Sequence, residues 1–217
     1  MTTPYGVTER SARGYIREQL IKDGHREELR EEGVLTLITK AIFAKAIPDV
    51  FPGPIGIMQW LKASAREIIK NQELIKWTTP SGFIVVQDLR KPKGERIQTR
   101  LMGTVIDVTV ANGWLGPDAN HHVSALAPNF VHGNDAALLH LAFAYWDRPF
   151  TVIHDCVMGR SSDMDAMAAE VRLHFAEIYK GEPLQQWADE VGVVIPDGIM
   201  KNTLDPDSVN ESTYFFC

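Results

Sequence analysis

The chain has 217 residues, 45% apolar and 23% charged, which excludes a disordered tail, a collagen-like fibre and a coiled coil and allows one large domain or two small ones. Its net charge of −6 argues against a simple polyanion binder, yet the charge is split. Residues 1–100 hold 17 Lys and Arg against 12 Asp and Glu, whereas residues 101–217 hold 5 against 16.

No apolar run approaches ~18 residues, so no membrane span or membrane partner is expected. Residues 1–10 are polar, with neither an apolar signal core nor an acid-free transit pattern. Two cysteines, Cys156 and Cys217, make neither a disulfide framework nor a four-ligand zinc site, and a reduced compartment is the default.

In chain order, residues 7–32 read as an exposed helix, highly charged with Tyr15, Ile16, Leu20 and Leu29 as sparse anchors. Val34 to Ile47 is a more apolar helix, broken by Pro48, Pro52, Gly53 and Pro54. Ile57, Leu61, Ala65, Ile68 and Ile69 then recur at helical spacing beside Trp60. Thr79-Pro80-Ser81-Gly82 is a turn, and Phe83 to Val86 a strand. Arg90 to Arg96 reads as a basic loop. Residues 97–110 alternate with β-branched positions, and Asn112-Gly113 offers turn chemistry, so 97–123 is expected to form an extended hairpin.

Asn134 or Asp135 is a candidate cap for a helix reaching Trp146. Phe150 to Ile153 is a short apolar strand ending at His154-Asp155. Ser162 is a candidate cap for a helix whose apolar face is Met164, Met167, Val171, Phe175 and Ile178. Beyond Pro196 the chain is loop-like, but Tyr214-Phe215-Phe216 is expected to dock, because three aromatic rings do not belong in water. Helices and strands alternate without a βαβ rhythm, which points to the α+β class, helices with short antiparallel hairpins.

Three segments carry chemistry. A carboxylate delivered at the end of an apolar strand, as Asp155 is, suits Mg²⁺, which takes hard oxygen ligands and shares substrate phosphates. The same pattern also describes an aspartate that simply faces solvent. Neighbouring side chains on a strand diverge, so His154 and Asp155 are not expected to share one task. In Met1-Thr2-Thr3-Pro4-Tyr5-Gly6, an aromatic followed by glycine lets a ring pack where backbone comes close. In Ala127-Pro128-Asn129-Phe130-Val131-His132, Asn129 and His132 need partners if buried. His121-His122 lacks an evident third ligand, and Cys156 reads as a small packed residue with no activating partner.

Together these segments resemble the C-terminal third of the single-subunit, phage- and mitochondrial-type DNA-dependent RNA polymerases. Met1-Thr2-x-x-Tyr5-Gly6 is similar to the end of the family's fingers-helix motif. Trp77-Thr78-Thr79-Pro80-Ser81-Gly82-Phe83 with Val86-Gln87 is similar to its Trp-x-Thr-Pro-x-Gly-x-Pro-Val-x-Gln segment. Ile97-Gln98-Thr99-Arg100-Leu101 follows as in the phage enzymes, and Pro128 to His132 matches Pro-Asn-Phe-(Val/Ile)-His. Phe150 to Cys156 matches the palm's His-Asp motif, and Ser212 to Phe216 resembles the aromatic terminus of the mitochondrial branch. The order is kept along essentially the whole chain.

The resemblance implies a partial right-hand polymerase fold. Residues 1–96 would be the C-terminal part of the fingers, 97–125 an extended hairpin like the promoter-specificity loop, and 126–217 the palm with a foot-like tail. It implies that Asp155 is the metal-binding palm aspartate for two Mg²⁺ ions, and that His154 supports its turn. Tyr5 would sit beside the incoming nucleotide and favour ribose, Gly6 would let the template approach, and His132 would lie near the nucleotide's sugar. Arg90, Lys91, Lys93, Arg96 and Arg100 would contact phosphates. The partners implied are a DNA template, an RNA product and NTPs, in the cytoplasm of a phage-infected cell or in mitochondria.

The family's second metal-binding aspartate and the Arg and Lys of its fingers helix lie before the Met-Thr, outside this sequence. The expectation is that this polypeptide alone does not synthesise RNA and works with a separate N-terminal polymerase chain. The alternatives are a non-catalytic remnant that binds nucleic acid or a partner, and a family-A DNA polymerase fragment. Cys156 and residues 128–132 argue against the second.

Overall fold

The computed structural model describes residues 8–71, 74–199 and 204–215. The expected sites at Tyr5 and Gly6 lie outside the described residues, as does Phe216.

The N-terminal part is helical. Helix α1 (Glu9–Lys22) starts where the Thr8 side chain accepts from the Ser11 backbone N–H, closing one of the otherwise orphaned first-turn donors. Helix α2 (Val34–Ala41) runs through a π-helical stretch, Ile42–Ala46, into α3 (Ile47–Val50). Helix α4 (Pro52–Lys70) begins at a proline, whose missing N–H costs nothing at a helix start. Its buried stripe is Trp60, Leu61, Ser64, Ala65, Ile68 and Ile69, close to the spacing read from the sequence.

Three separate two-stranded antiparallel ribbons follow. β1 (Ile75–Thr78) pairs with β2 (Ile84–Gln87), Ile75 opposite Gln87 and Trp77 opposite Val85. β3 (Arg90–Leu101) pairs with β4 (Thr104–Pro117). β5 (Phe150–Ile153) pairs with β6 (Cys156–Gly159). The described residues are thus α+β, as expected.

Helix α5 (Ala119–Phe143) is the spine. Its first half packs with α4, β1 and α7 (Pro183–Val191) around Leu61, Ile75, Trp77, Leu126, Trp187 and Ala188. Its second half packs with α6 (Met164–Lys180) around Leu138, Leu139, Phe143, Met167 and Val171. A short helix α8 (Ser208–Glu211) follows, and Arg172 of α6 donates to the carbonyls of Val209 and Ser212 beside it. The docking expected of the tail holds for Phe215, which meets Phe175 edge-on at 4.8 Å. It fails for Tyr214, which is exposed.

The helix read over 7–32 ends at Lys22, Pro48 lies within α3 instead of breaking the helix before it, and Ser162 sits in the turn before α6 without capping it. Two elements nearer the site also differ from the sequence reading. The extended hairpin starts at Arg90, so the basic segment 90–96 is strand and not loop. It turns at Met102-Gly103, where both residues have positive φ (49° and 84°), and not at Asn112-Gly113. Gly113 sits within β4 at φ 90° near a register shift opposite Pro92, which is how a turn-like pair is absorbed by a ribbon.

The second difference is α5, which is already under way at Ala119. Asp118 caps it by accepting from the His121 N–H at 3.1 Å, so neither Asn134 nor Asp135 starts a helix. Residues 119–123 are therefore helix and not hairpin, and Pro128 is carried inside it. Burial against α4, β1 and α6 outweighs one proline's loss of a backbone donor.

Candidate functional site

Asp155 stands in the two-residue turn between β5 and β6, where Ile153 pairs with Cys156. His154 takes the first turn position at φ 57°, a conformation that suits glycine far better than a branched side chain. Such outliers persist only where surrounding structure holds them. The ribbon below supplies that hold. Phe150 stacks on Phe143 of α5 at 5.1 Å, and Gly159 approaches Met167 so closely that a Cβ there would lie 2.5 Å from its sulfur. Beneath the ribbon, Arg148 donates to Asp163 at 2.9 Å and tilts over the Trp146 ring.

The Asp155 carboxylate is exposed and makes no ion pair among the described residues. Its near neighbour is the exposed Cys156 thiol, 3.8 Å from Oδ1. Cys156 is thus not the packed residue the sequence suggested. A free carboxylate of this kind is a suitable hard ligand for Mg²⁺. It is one ligand: among the described residues no group of three or more His, Cys, Asp or Glu side chains is placed to hold a metal.

His132 lies midway along α5 and is exposed, so it is not the buried core histidine that its apolar surroundings allowed. Asn129 has found its partner, donating to Gln87 Oε1 at 2.8 Å. α5 thus carries His132 on its body and leads, through the short connection 144–149, into the ribbon that displays Asp155.

The five basic candidates all lie on β3, every residue of which is exposed. Strand alternation puts Arg96, Gln98 and Arg100 on one face with Val105 and Asp107. The opposite face is more apolar, with Ile97, Leu101, Ile106, Val108 and Val110 beside Glu95, Thr99 and Thr104. Arg90 is engaged by Asp88 at 2.7 Å, a bond that lowers the Asp88 pKa and raises that of Arg90. Arg96 pairs with Asp107. Lys91, Lys93 and Arg100 make no ion pair among the described residues and are the cations most available to a polyanion.

The sequence reading missed a buried polar group at the root of this hairpin. His122 is 0% exposed and Gln87 3%. Gln87 Nε2 lies 3.2 Å from His122 Nδ1 and donates to the His122 carbonyl at 3.1 Å, and the Leu89 N–H donates to His122 Nε2 at 3.1 Å. Burial holds the imidazole below its ordinary pKa, partly offset by the Asp88 carboxylate. The signal in the sequence was Gln87 and His122 themselves, two polar residues each beside a valine. The i, i+7 spacing of His122 and Asn129 on one helix face becomes readable only once 119–123 is known to be helical.

No helix among the described residues is long and apolar enough to cross a membrane. A family model for DNA-dependent RNA polymerase matches residues 1–214. The chain is 29% identical to DNA-directed RNA polymerase 1, mitochondrial, of Arabidopsis thaliana, a match covering 100% of this chain and 22% of that protein. It is 30% identical to the DNA-directed RNA polymerase of Pseudomonas phage phiKMV, over 100% of this chain and 27% of that one. With DNA-directed RNA polymerase 2A of Nicotiana tabacum the identity is 26%, over 100% of this chain and 66% of the relative. The chain therefore spans about a quarter of the length of the first two relatives. Matched from residue 1 to residue 214 and similar to phage and organellar enzymes alike, the chain belongs to the DNA-dependent RNA polymerase family of the single-subunit, phage type.

Proposed function

We propose that these residues form the C-terminal fingers-and-palm portion of an enzyme that copies DNA into RNA from NTPs by two-metal nucleotidyl transfer. The remaining portion of the polymerase supplies the second metal-binding carboxylate and the triphosphate-binding Arg and Lys. The observation that carries the reading is Asp155, an exposed, unpaired carboxylate at the tip of a braced ribbon, in a chain matched by the family throughout. A polymerase must present one such ligand to metal and substrate together while keeping its backbone still.

In this reading Asp155 holds Mg²⁺, which when bound lowers the pKa of the primer hydroxyl and neutralises charge on the phosphates. His154 keeps the turn tight. Tyr5 lies beside the incoming nucleotide and Gly6 beside the template. His132 lies at the sugar, where a 2′-hydroxyl distinguishes RNA from DNA. Residues before Arg90 belong to the fingers and 126–217 to the palm. The hairpin between them, which begins at Arg90, presents its Arg96 and Arg100 face to DNA, since the major groove admits a two-stranded ribbon. Lys91 and Lys93 add phosphate contacts. The compartment is the cytoplasm of a phage-infected cell or an organelle, in keeping with where such relatives work.

The test is complementation. This chain is mixed with the N-terminal portion of a single-subunit polymerase, DNA template, NTPs and Mg²⁺, and RNA is measured. RNA synthesis is expected, and Asp155→Ala is expected to lower it at least about a thousandfold with the circular dichroism spectrum unchanged. Synthesis that survives Asp155→Ala refutes the assignment.

A further inference from the structure

The β3–β4 ribbon is a lever. Twelve to fourteen residues per strand span roughly 40 Å at ~3.4 Å each, and the two strands pack principally on each other. A rotation of about 10° at its root moves the tip by about 7 Å, close to two base-pair steps at ~3.4 Å per step. Whatever fixes the root therefore fixes which bases the tip can reach.

The root is held at one corner. Leu89, the residue before β3, has both backbone groups taken: its N–H donates to His122 Nε2, and its carbonyl accepts from the Asp118 N–H at 2.8 Å. Asp118 follows β4 and caps α5, so the two strands leave and return through the first turn of one helix. Gln87 ties the corner to that helix by donating to the His122 carbonyl, and Asn129 fixes Gln87 one further stretch along the same face by donating to its Oε1. Hydrogen bonds held in and beside the core in this way are directional, whereas apolar packing would let the corner slide.

We propose that Gln87, His122 and Asn129 are positioning residues that set the angle at which the β3–β4 ribbon leaves the body, and so the template register it reads. The inference rests on the polymerase reading above, and its test has an arm that does not need RNA synthesis. In the first arm, spin labels are placed at Met102→Cys on the tip and Arg66→Cys on α4, with Cys156 and Cys217 changed to Ser, and the distance distribution is measured. His122→Leu is expected to shift or broaden the distribution. His122→Gln, whose side-chain oxygen can accept from the Leu89 N–H, is expected to restore it. Asn129→Ala, which removes only one bond, gives a smaller change and covers the case in which His122→Leu does not fold.

In the second arm, the complemented polymerase is assayed for promoter-directed and for non-specific RNA synthesis. The ratio is expected to fall at least about tenfold in His122→Leu, with non-specific synthesis unchanged and recovery in His122→Gln. An unaltered distance distribution in both His122→Leu and Asn129→Ala overturns the proposal. So does a ratio that stays constant while both activities fall together. A wild-type mixture that makes no RNA at all refutes the polymerase reading instead, and the distance measurement still decides the positioning role.

Discussion

The ion pair beneath the Asp155 ribbon predicts an asymmetry that distinguishes a buried charge from an exposed one. Arg148 and Asp163 flank the ribbon, just before β5 and just after β6. Their N···O distance is 2.9 Å, but the Asp163 side chain is 8% exposed and that of Arg148 48%. Removing the arginine strands a carboxylate that keeps only the Ser162 hydroxyl, 3.2 Å from Oδ1, while its buried Oδ2 has no hydrogen-bond partner. A hydrogen bond to a charged group is worth about 1.5–3 kcal/mol. The guanidinium over Trp146, 5.3 Å from the ring centroid, adds about 0.5–1 kcal/mol. Arg148→Met should therefore cost about 3 kcal/mol, the lower end of the range of about 3–5 kcal/mol for breaking a fully buried pair.

Asp163→Asn leaves the opposite remainder. The arginine keeps a neutral acceptor and is already half in water, so the cost should be about 1 kcal/mol. Changing both partners to Met and Leu removes the stranded charge, and the double variant should be more stable than Arg148→Met alone. The assay is urea unfolding followed by tryptophan fluorescence and far-ultraviolet circular dichroism, with coincidence of the two probes as the check on two-state behaviour. Costs for the two single variants that agree within about 0.5 kcal/mol would refute the reasoning, because burial would then not be deciding the outcome.

Two further predictions follow from polar groups. The Trp60 and Trp187 rings meet edge-to-face at 5.4 Å, yet Trp60 Nε1 donates to the Val194 carbonyl at 2.9 Å while the buried Trp187 Nε1 has no partner. Trp60→Phe should thus cost about 1 kcal/mol more than Trp187→Phe, read as midpoint shifts in urea, and the reverse order would contradict this account. The second concerns pH. With the folded-state pKa of His122 lowered, the unfolded chain binds more protons, so stability falls as pH drops below the ordinary histidine value of about 6.5. An imidazolium would also point an N–H at the Leu89 N–H. Asp88 and Asp118 oppose this shift and His121 adds to it. The urea midpoint should decline between pH 7 and 5, and His122→Gln should flatten that decline; an unchanged slope would exclude His122 as its source.

The charge split noted in the sequence acquires a concrete meaning on β3. Five of the cations of the first half lie along this one exposed strand, and neighbouring carboxylates engage two of them, Arg90 and Arg96. Net charge alone could not separate engaged from available cations, because Asp107 is eleven residues from Arg96 and meets it only through strand pairing.

The apolar spacing of α4 and the apolar run before Asp155 were legible because each reports a local period or a local run; burial followed the pattern in α4, whereas β5 formed as a strand with every residue exposed. The motifs in their order were also enough to point to the family. What the sequence could not decide were the features set by competition between local preference and distant packing. Asn112-Gly113 prefers a turn, but the pairing of β3 with β4 places the turn at Met102-Gly103. Pro128 disfavours a helix, but two cores on either half of α5 carry the helix through it. Gln87, His122 and Asn129 look like isolated polar residues along the chain. They become one hydrogen-bonded group only because β2 and α5 meet, since a hydrogen bond depends on distance and direction in space, and residues 35 and 42 positions apart acquire both only on folding.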